Sequence, residues 1–129
     1  MTIKRNKVGA AQISGKKLPI AKAVEAGGFV FVSGQVAADA TGEIVSGGIV
    51  EQTRQTLENI KAILREYDIE LSHVVKTTVW LDDVRDFWSF NKVYAEYFGT
   101  SLPARSCVQS MLVSACKVEI EVTAYRARD

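Results

Sequence analysis

Lys117-Val118-Glu119-Ile120-Glu121-Val122-Thr123-Ala124-Tyr125 alternates without a fault. Val118, Ile120, Val122 and Ala124 point one way, and Lys117, Glu119, Glu121, Thr123 and Tyr125 the other. That period of two describes a half-buried strand. Shortly before it, Pro103-Ala104-Arg105-Ser106-Cys107-Val108 reads as an extended run started by Pro103, with Arg105, Cys107 and Gln109 on one face. A loop of a few residues separates the two runs, so the spacing predicts that they pair as neighbours. An arginine and a carboxylate then project from adjacent strands. A guanidinium stays charged and offers a planar fork that fits a carboxylate in bidentate fashion. A nearby glutamate can hold a water or move a proton. The pair reads either as a site for a small carboxylate-bearing molecule or as a structural ion pair across strands; spacing leaves both open.

Upstream, residues 1 to 20 are weakly patterned, with Ile3 to Val8 a short edge strand and Gly15 to Pro19 a loop. Ala21 to Ala26 reads as a strand, turned by Gly27-Gly28 into Phe29 to Val36, since a Gly-Gly pair between two such runs signals a hairpin. Ser33-Gly34 interrupts the second run, where glycine permits a bulge or the close approach of another group. Asp39 to Gly48 is turn chemistry. Ile49 to Glu66 is the strongest helix: Val50, Thr53, Leu57, Ile60, Leu64 and Tyr67 make one stripe, and Glu51, Arg54, Glu58, Lys61 and Arg65 a solvated face. Val74 to Leu81 is a strand rich in β-branched residues. His73, just before it, has no second metal ligand at a suitable spacing and reads as structural. Phe87 to Phe98 is a second amphipathic helix, with Asp86 as N-cap, Gly99 as its stop and a stripe of Phe87, Phe90, Tyr94 and Tyr97. Asn91 falls on or beside the buried face, where an amide needs partners.

The order strand-strand-helix-strand-helix-strand-strand predicts an α+β sandwich: a mixed sheet with both helices on one face, in a single domain spanning residues 1–129. One sheet face is left over and calls for a partner. The 129 residues carry 16 basic and 15 acidic side chains, a net charge of +1, with no long run of either sign. Neither a nucleic-acid footprint nor a polybasic membrane patch is present. Cys107 and Cys116 lie on separate segments without a CxxC pair or a histidine cluster, which suits small buried hydrophobes in a reduced, cytoplasmic protein. The basic N-terminus lacks the apolar stretch of a signal peptide, and no apolar run approaches a membrane span.

Six segments together resemble the Rid family, the reactive intermediate deaminases (RidA/YjgF-like, formerly grouped as L-PSP endoribonucleases). They are Phe31-Val32-Ser33-Gly34-Gln35, Gln55-Thr56-Leu57-Glu58-Asn59-Ile60, Val75-Lys76-Thr77-Thr78-Val79, Phe90-Asn91-Lys92-Val93-Tyr94, Pro103-Ala104-Arg105-Ser106 and Val118-Glu119-Ile120-Glu121. All fall in family order, and the resemblance runs from about residue 18 to residue 126. It implies a chorismate mutase-like fold and a homotrimer with pockets between subunits. It also implies hydrolysis of enamine or imine acids such as 2-iminopropanoate and 2-iminobutanoate to 2-keto acids and ammonia. Such activity protects pyridoxal-phosphate enzymes from 2-aminoacrylate, and needs neither metal nor organic cofactor. By position, Arg105 holds the substrate carboxylate and Glu119 places or activates the water. Ser33 and Asn91 line the pocket, and the backbone around Cys107 contacts substrate or water. Two departures stand out. Where deaminase members typically read Gly-Pro-Tyr, this chain has Leu18-Pro19-Ile20, so Ile20 occupies the pocket position without a hydroxyl. The Leu-Pro turn usual between the last two strands gives way to the shorter Leu112-Val113-Ser114-Ala115-Cys116. The alternatives are a trimeric keto-acid or carboxylate binder without turnover, or a deaminase dedicated to one pathway. The neutral charge balance gives the older ribonuclease label no support.

Overall fold

The computed structural model describes residues 2–5, 9–13 and 15–126. Its strands are β1 (Lys4–Arg5), β2 (Ala10–Ile13), β3 (Lys16–Ala21), β4 (Ala23–Ala26), β5 (Phe29–Gln35), β6 (Val74–Leu81), β7 (Ala104–Gln109) and β8 (Val118–Tyr125). Two helices, α1 (Ile49–Arg65) and α2 (Phe87–Phe98), connect β5 to β6 and β6 to β7. The main sheet runs β1-β4-β5-β8-β6-β7, and β2 with β3 forms a separate two-stranded ribbon. Only the β6–β7 pair is parallel. That follows from the α2 crossover, because a helix returning over the sheet sets the next strand down in the same direction. The result is an α+β architecture with a mixed sheet and two helices.

The core lies between the helices and one face of this sheet. Val118, Ile120, Val122 and Ala124 of β8 meet Val30 and Val32 of β5, Val79 of β6, and Leu57, Ile60 and Leu64 of α1. Phe90, Tyr94 and Phe98 of α2 complete it, with Tyr94 and Phe98 rings 4.5 Å apart. At 2% exposure or less, the four β8 residues confirm the alternation read from the sequence. Gly27 and Gly28, both at positive φ, make the β4–β5 turn that the dipeptide predicts. Gly99, at φ 56°, ends α2 as expected.

Several expectations need correction. Gly15 to Pro19 is not a loop: Lys16–Ala21 is β3, with Pro19 on an exposed ribbon. Of the edge strand expected over Ile3 to Val8, β1 covers Lys4–Arg5, and residues 6–8 lie outside the described residues. Val50 is 38% exposed; Ile49 takes its place on the buried face of α1, along with Gln52, Thr56 and Ile63. Asp86 does not cap α2 through its side chain. A 3-10 turn over Val84–Asp86 runs straight into the helix, so the Phe87 amide already donates to Val84, and Asp83 caps that turn from below. His73 is structural as read, its Nδ1 accepting from the Glu70 amide at 3.1 Å.

The largest correction concerns β7 and β8, which do not pair. β6 lies between them, parallel to β7 and antiparallel to β8. A short β7–β8 connection is compatible with this because β7 and β8 run antiparallel across the intervening strand.

Candidate functional site

Register decides where the two charges go. Thr77 of β6 pairs with Arg105 on one side and with Val122 on the other, so these three share a row and a face, the helix-covered one. Trp80 pairs with Glu119, three residues from Val122, and Glu119 therefore faces the open side. The expected Arg105–Glu119 neighbourhood on one chain is absent: the two stand on non-adjacent strands and opposite faces.

On the covered face, Arg105 reaches from the edge strand β7 across the first turns of α2. Phe87, Phe90, Asn91 and Tyr94 recur there at helical spacing and present one wall. The guanidinium lies 4.9 Å from the Tyr94 ring centre and 5.6 and 5.7 Å from those of Phe87 and Phe90. Such ring faces attract a cation and fix its plane. Its Nη1 donates to Asn91 Oδ1 at 2.8 Å, which gives the Asn91 amide the partner that its position demanded. Tyr94 is braced in turn by a 2.8 Å hydrogen bond with the buried Thr77 hydroxyl. Burial pushes the Tyr94 phenol up, with the Thr77 bond and Arg105 opposing. Cys107, two residues on and on the same face, is half-buried and free; burial raises its thiol and Arg105 partly offsets this. Among the described residues Arg105 makes no ion pair with any carboxylate. A half-buried guanidinium oriented by a neutral amide and aromatic faces, without an ion pair among the described residues, has the chemistry to accept an anion.

Glu119 stands on the open face. Between Val32 and Gln35 the β5–β8 register shifts, so the bulge allowed by Ser33-Gly34 is present. The Glu119 carboxylate occupies the space that a Cβ on Gly34 would fill. Desolvation pushes the Glu119 carboxyl above the ordinary glutamate value, and Glu121 two residues away adds to the rise. Ser33 sits at the bulge, its Oγ donating to the Ala21 carbonyl at 2.6 Å, which ties β5 to the end of β3. Ile20, the residue before Ala21, is 45% exposed. Gly34 and Glu119 thus lie against each other, with Ser33 next to Gly34 in the chain and tied to Ala21, while Asn91, Arg105 and Cys107 gather on the covered side.

Two polar residues on α1 acquire their roles only in the fold. Gln52 is buried, accepting from the Lys117 amide at 2.8 Å and donating to the Gly47 carbonyl, so it fixes the start of β8 two residues before Glu119. Asn59 donates to the carbonyls of Val36 and Ala38, holding the chain that leaves the bulged strand. Amides inside a helical pattern are a weak signal; only the backbone partners they find in the fold mark them. Two surface grooves lie elsewhere. One of about 910 Å³ runs along α1 and α2 past Arg54, Glu58, Lys61 and Glu96, and one of about 490 Å³ lies between the β2–β3 ribbon and the Asp39 turn. Neither includes Arg105 or Glu119. Among the described residues no three His, Cys, Asp or Glu side chains gather as metal ligands, and no helix is long and apolar enough to cross a membrane.

The family model described as endoribonuclease L-PSP matches residues 16–126. A RutC family protein of Pyrococcus horikoshii is 52% identical over 110 residues, covering 84% of this chain and 87% of the relative. The mouse protein named 2-iminobutanoate/2-iminopropanoate deaminase is 42% identical over 110 residues, covering 84% and 82%. Among solved structures, that of Escherichia coli TdcF with bound serine superposes with a TM-score of 0.81 at 37% identity, covering 89% of this chain and 94% of that one. Spanning the bulge, both helices and the strands that carry Arg105 and Glu119, these matches place the chain in the endoribonuclease L-PSP family, the Rid family.

Proposed function

We propose that this protein hydrolyses small 2-imino acids and their enamine tautomers to 2-keto acids and ammonia, at sites formed where two copies of the chain meet in a homotrimer. The observation that carries this reading is the unneutralised Arg105, held by Asn91 on an aromatic wall and open at an edge strand. A substrate carboxylate supplies the missing charge through two parallel hydrogen bonds. Relatives named as 2-iminobutanoate/2-iminopropanoate deaminases support the substrate class. A bound serine in the TdcF structure supports a site for a small molecule carrying a carboxylate.

Glu119 supplies the second function. With the carboxylate clamped, a water held by Glu119 adds its oxygen to C2 of the imine. Glu119 takes the water's proton and passes it to the nitrogen, giving a carbinolamine. Collapse of that intermediate forms the C2 carbonyl, breaks the C–N bond and releases ammonia. A raised carboxyl suits proton exchange near neutral pH better than an ordinary glutamate does. Because such imines hydrolyse unaided, orientation and proton transfer are all the protein has to add. The hydroxyl missing at Ile20 is not needed for either step; Ile20 and Ser33 border the Glu119 half of the pocket, and the Cys107 backbone the Arg105 half.

Arg105 and Glu119 cannot reach one small molecule within a single chain, since two strand spacings of about 4.8 Å and the sheet itself separate them. A second copy resolves this, setting its Glu119 group beside the first copy's β7 edge. The open face supplies the surface for such contact, with Phe29, Phe31, Trp80, Val108 and Tyr125 among its side chains. Phe29 already packs against Tyr125, their tilted rings 5.0 Å apart.

The test generates 2-imino acids with an amino-acid oxidase, traps the free imine with semicarbazide and adds the protein as competitor. Wild type should lower semicarbazone formation, and Arg105→Ala and Glu119→Gln should not. Unchanged trapping with every imino acid tried would leave a binding protein on this scaffold and remove the deaminase reading.

A further inference from the structure

We infer that Gly34 is a positioning residue for Glu119: its missing side chain, rather than its backbone freedom, creates the niche that holds the carboxylate. The inference rests on the reading of Glu119 as the water-activating group and goes beyond it by assigning what places that group.

Glycine in a strand ordinarily signals a backbone conformation closed to other residues or a need for space. The first reason does not hold at Gly34, which is not among the glycines at positive φ. Space is the operative reason. A Cβ built on Gly34 would overlap Glu119 Oε2 and lie 3.1 Å from the carboxyl carbon and 3.4 Å from Cγ. The whole end of the Glu119 side chain therefore rests on the β5 backbone at the bulge. It cannot easily yield inward, because β8 is pinned on both sides, by β5 and by β6. Gln52 further fixes the strand's start through the Lys117 amide. Adding a methyl at residue 34 must then swing the carboxylate outward, away from the bulge and towards solvent. Two features of the sequence thus serve one group: the register shift turns β5 so that its backbone faces Glu119, and the glycine leaves the resulting hollow empty. Desolvation, the largest cause of the raised Glu119 carboxyl, is consistent with a carboxylate kept in that hollow.

The experiment compares Gly34→Ala, Glu119→Asp and the double variant, with two readouts. Turnover is measured by the trapping assay, and the Glu119 titration by carboxyl ¹³C NMR, its resonance assigned with Glu119→Gln. Gly34→Ala should lower turnover by about tenfold or more and move the Glu119 titration down towards that of an exposed glutamate. Aspartate, one methylene shorter, should lower turnover alone yet partly restore it in the Gly34→Ala background, because the shorter side chain clears the methyl. Wild-type turnover and titration in Gly34→Ala would overturn the inference. So would a fall in turnover with an unmoved titration, which would assign Gly34 to substrate contact instead. Should Gly34→Ala fail to fold, Gly34→Ala/Glu119→Ala decides: recovery of the fold supports the steric niche, and equal failure assigns the glycine to the backbone. The titration and the fold recovery do not depend on imine turnover. A wild type inactive on every imino acid would therefore defeat the proposed function while leaving the niche testable.

Discussion

On the covered face of the sheet, β8 places Val118, Ile120, Val122 and Ala124, all essentially without solvent contact, against two helices. On the other face the same strand places Glu119, Glu121, Thr123 and Tyr125, half-buried or exposed, beside Phe31 and Trp80. One face is completed within the chain and the other is not. Each nevertheless carries a half-buried charge without an ionic partner among the described residues: Arg105 at the rim of the closed face, Glu119 on the open one. A folded chain that keeps two opposite, half-buried charges apart gives up the pairing that would make either of them merely structural. The separation leaves both available for a third molecule.

The comparison can be broken at several points. Ile120→Ala, in the closed face, should cost about 3–4 kcal/mol of unfolding free energy, the range for a large-to-small change in a packed core. Thr123→Ala on the open face should stay within about 0.5 kcal/mol for the isolated subunit. Chemical denaturation compares the two, and equal losses would contradict the assignment of faces. Arg105→Ala should lower imine turnover by about 100-fold or more, equivalent to about 2.7 kcal/mol, while leaving the unfolding midpoint almost unmoved. A large loss of stability would show the guanidinium to be part of the core. Tyr94→Phe, which strands the buried Thr77 hydroxyl, should cost about 1–2 kcal/mol and reduce turnover only moderately, through the looser wall behind Arg105.

Glu119 offers the smallest but most diagnostic effect. Its folded carboxyl is raised, so the folded state holds a proton more tightly than the unfolded one, and wild-type stability falls as pH rises through that value. Glu119→Gln should accordingly be slightly more stable than wild type at neutral pH, with the gain shrinking as pH falls below the Glu119 titration. Thermal melts across the acid range check the sign. Wild-type activity should fall as pH drops through the same interval, above the pH expected for an ordinary glutamate.

Much of this was legible in the sequence where one physical signal dominated. Strict alternation fixed β8, β-branched density fixed β6, and an aromatic stripe closed by Gly99 fixed α2. The Ser33-Gly34 interruption permits a bulge or the close approach of another group, and the fold has both. What failed was non-local. Parity within β7 and β8 was correct, yet nothing in either segment says that β6 inserts between them; the α2 crossover determines that. Hence Arg105 and Glu119 were expected side by side and stand on opposite faces. Lys16–Ala21 was missed because a ribbon exposed on both sides has no apolar alternation to betray it, and Pro19 argued against a strand. The structural roles of Gln52 and Asn59 are not legible in the sequence, because polar residues on a helix ordinarily face water and only the packed fold gives these two their backbone partners.

The central claim, that Arg105 of one copy and Glu119 of another act on one substrate, is tested most directly by subunit mixing. Arg105→Ala and Glu119→Gln proteins, each inactive alone, are unfolded together, refolded and assayed by imine trapping. Random assembly should return about one quarter of the wild-type sites, because each site draws its two charges from independent chains. Activity no greater than that of the separate variants, in mixed oligomers verified by mass, would place both residues in one chain's site and contradict the account.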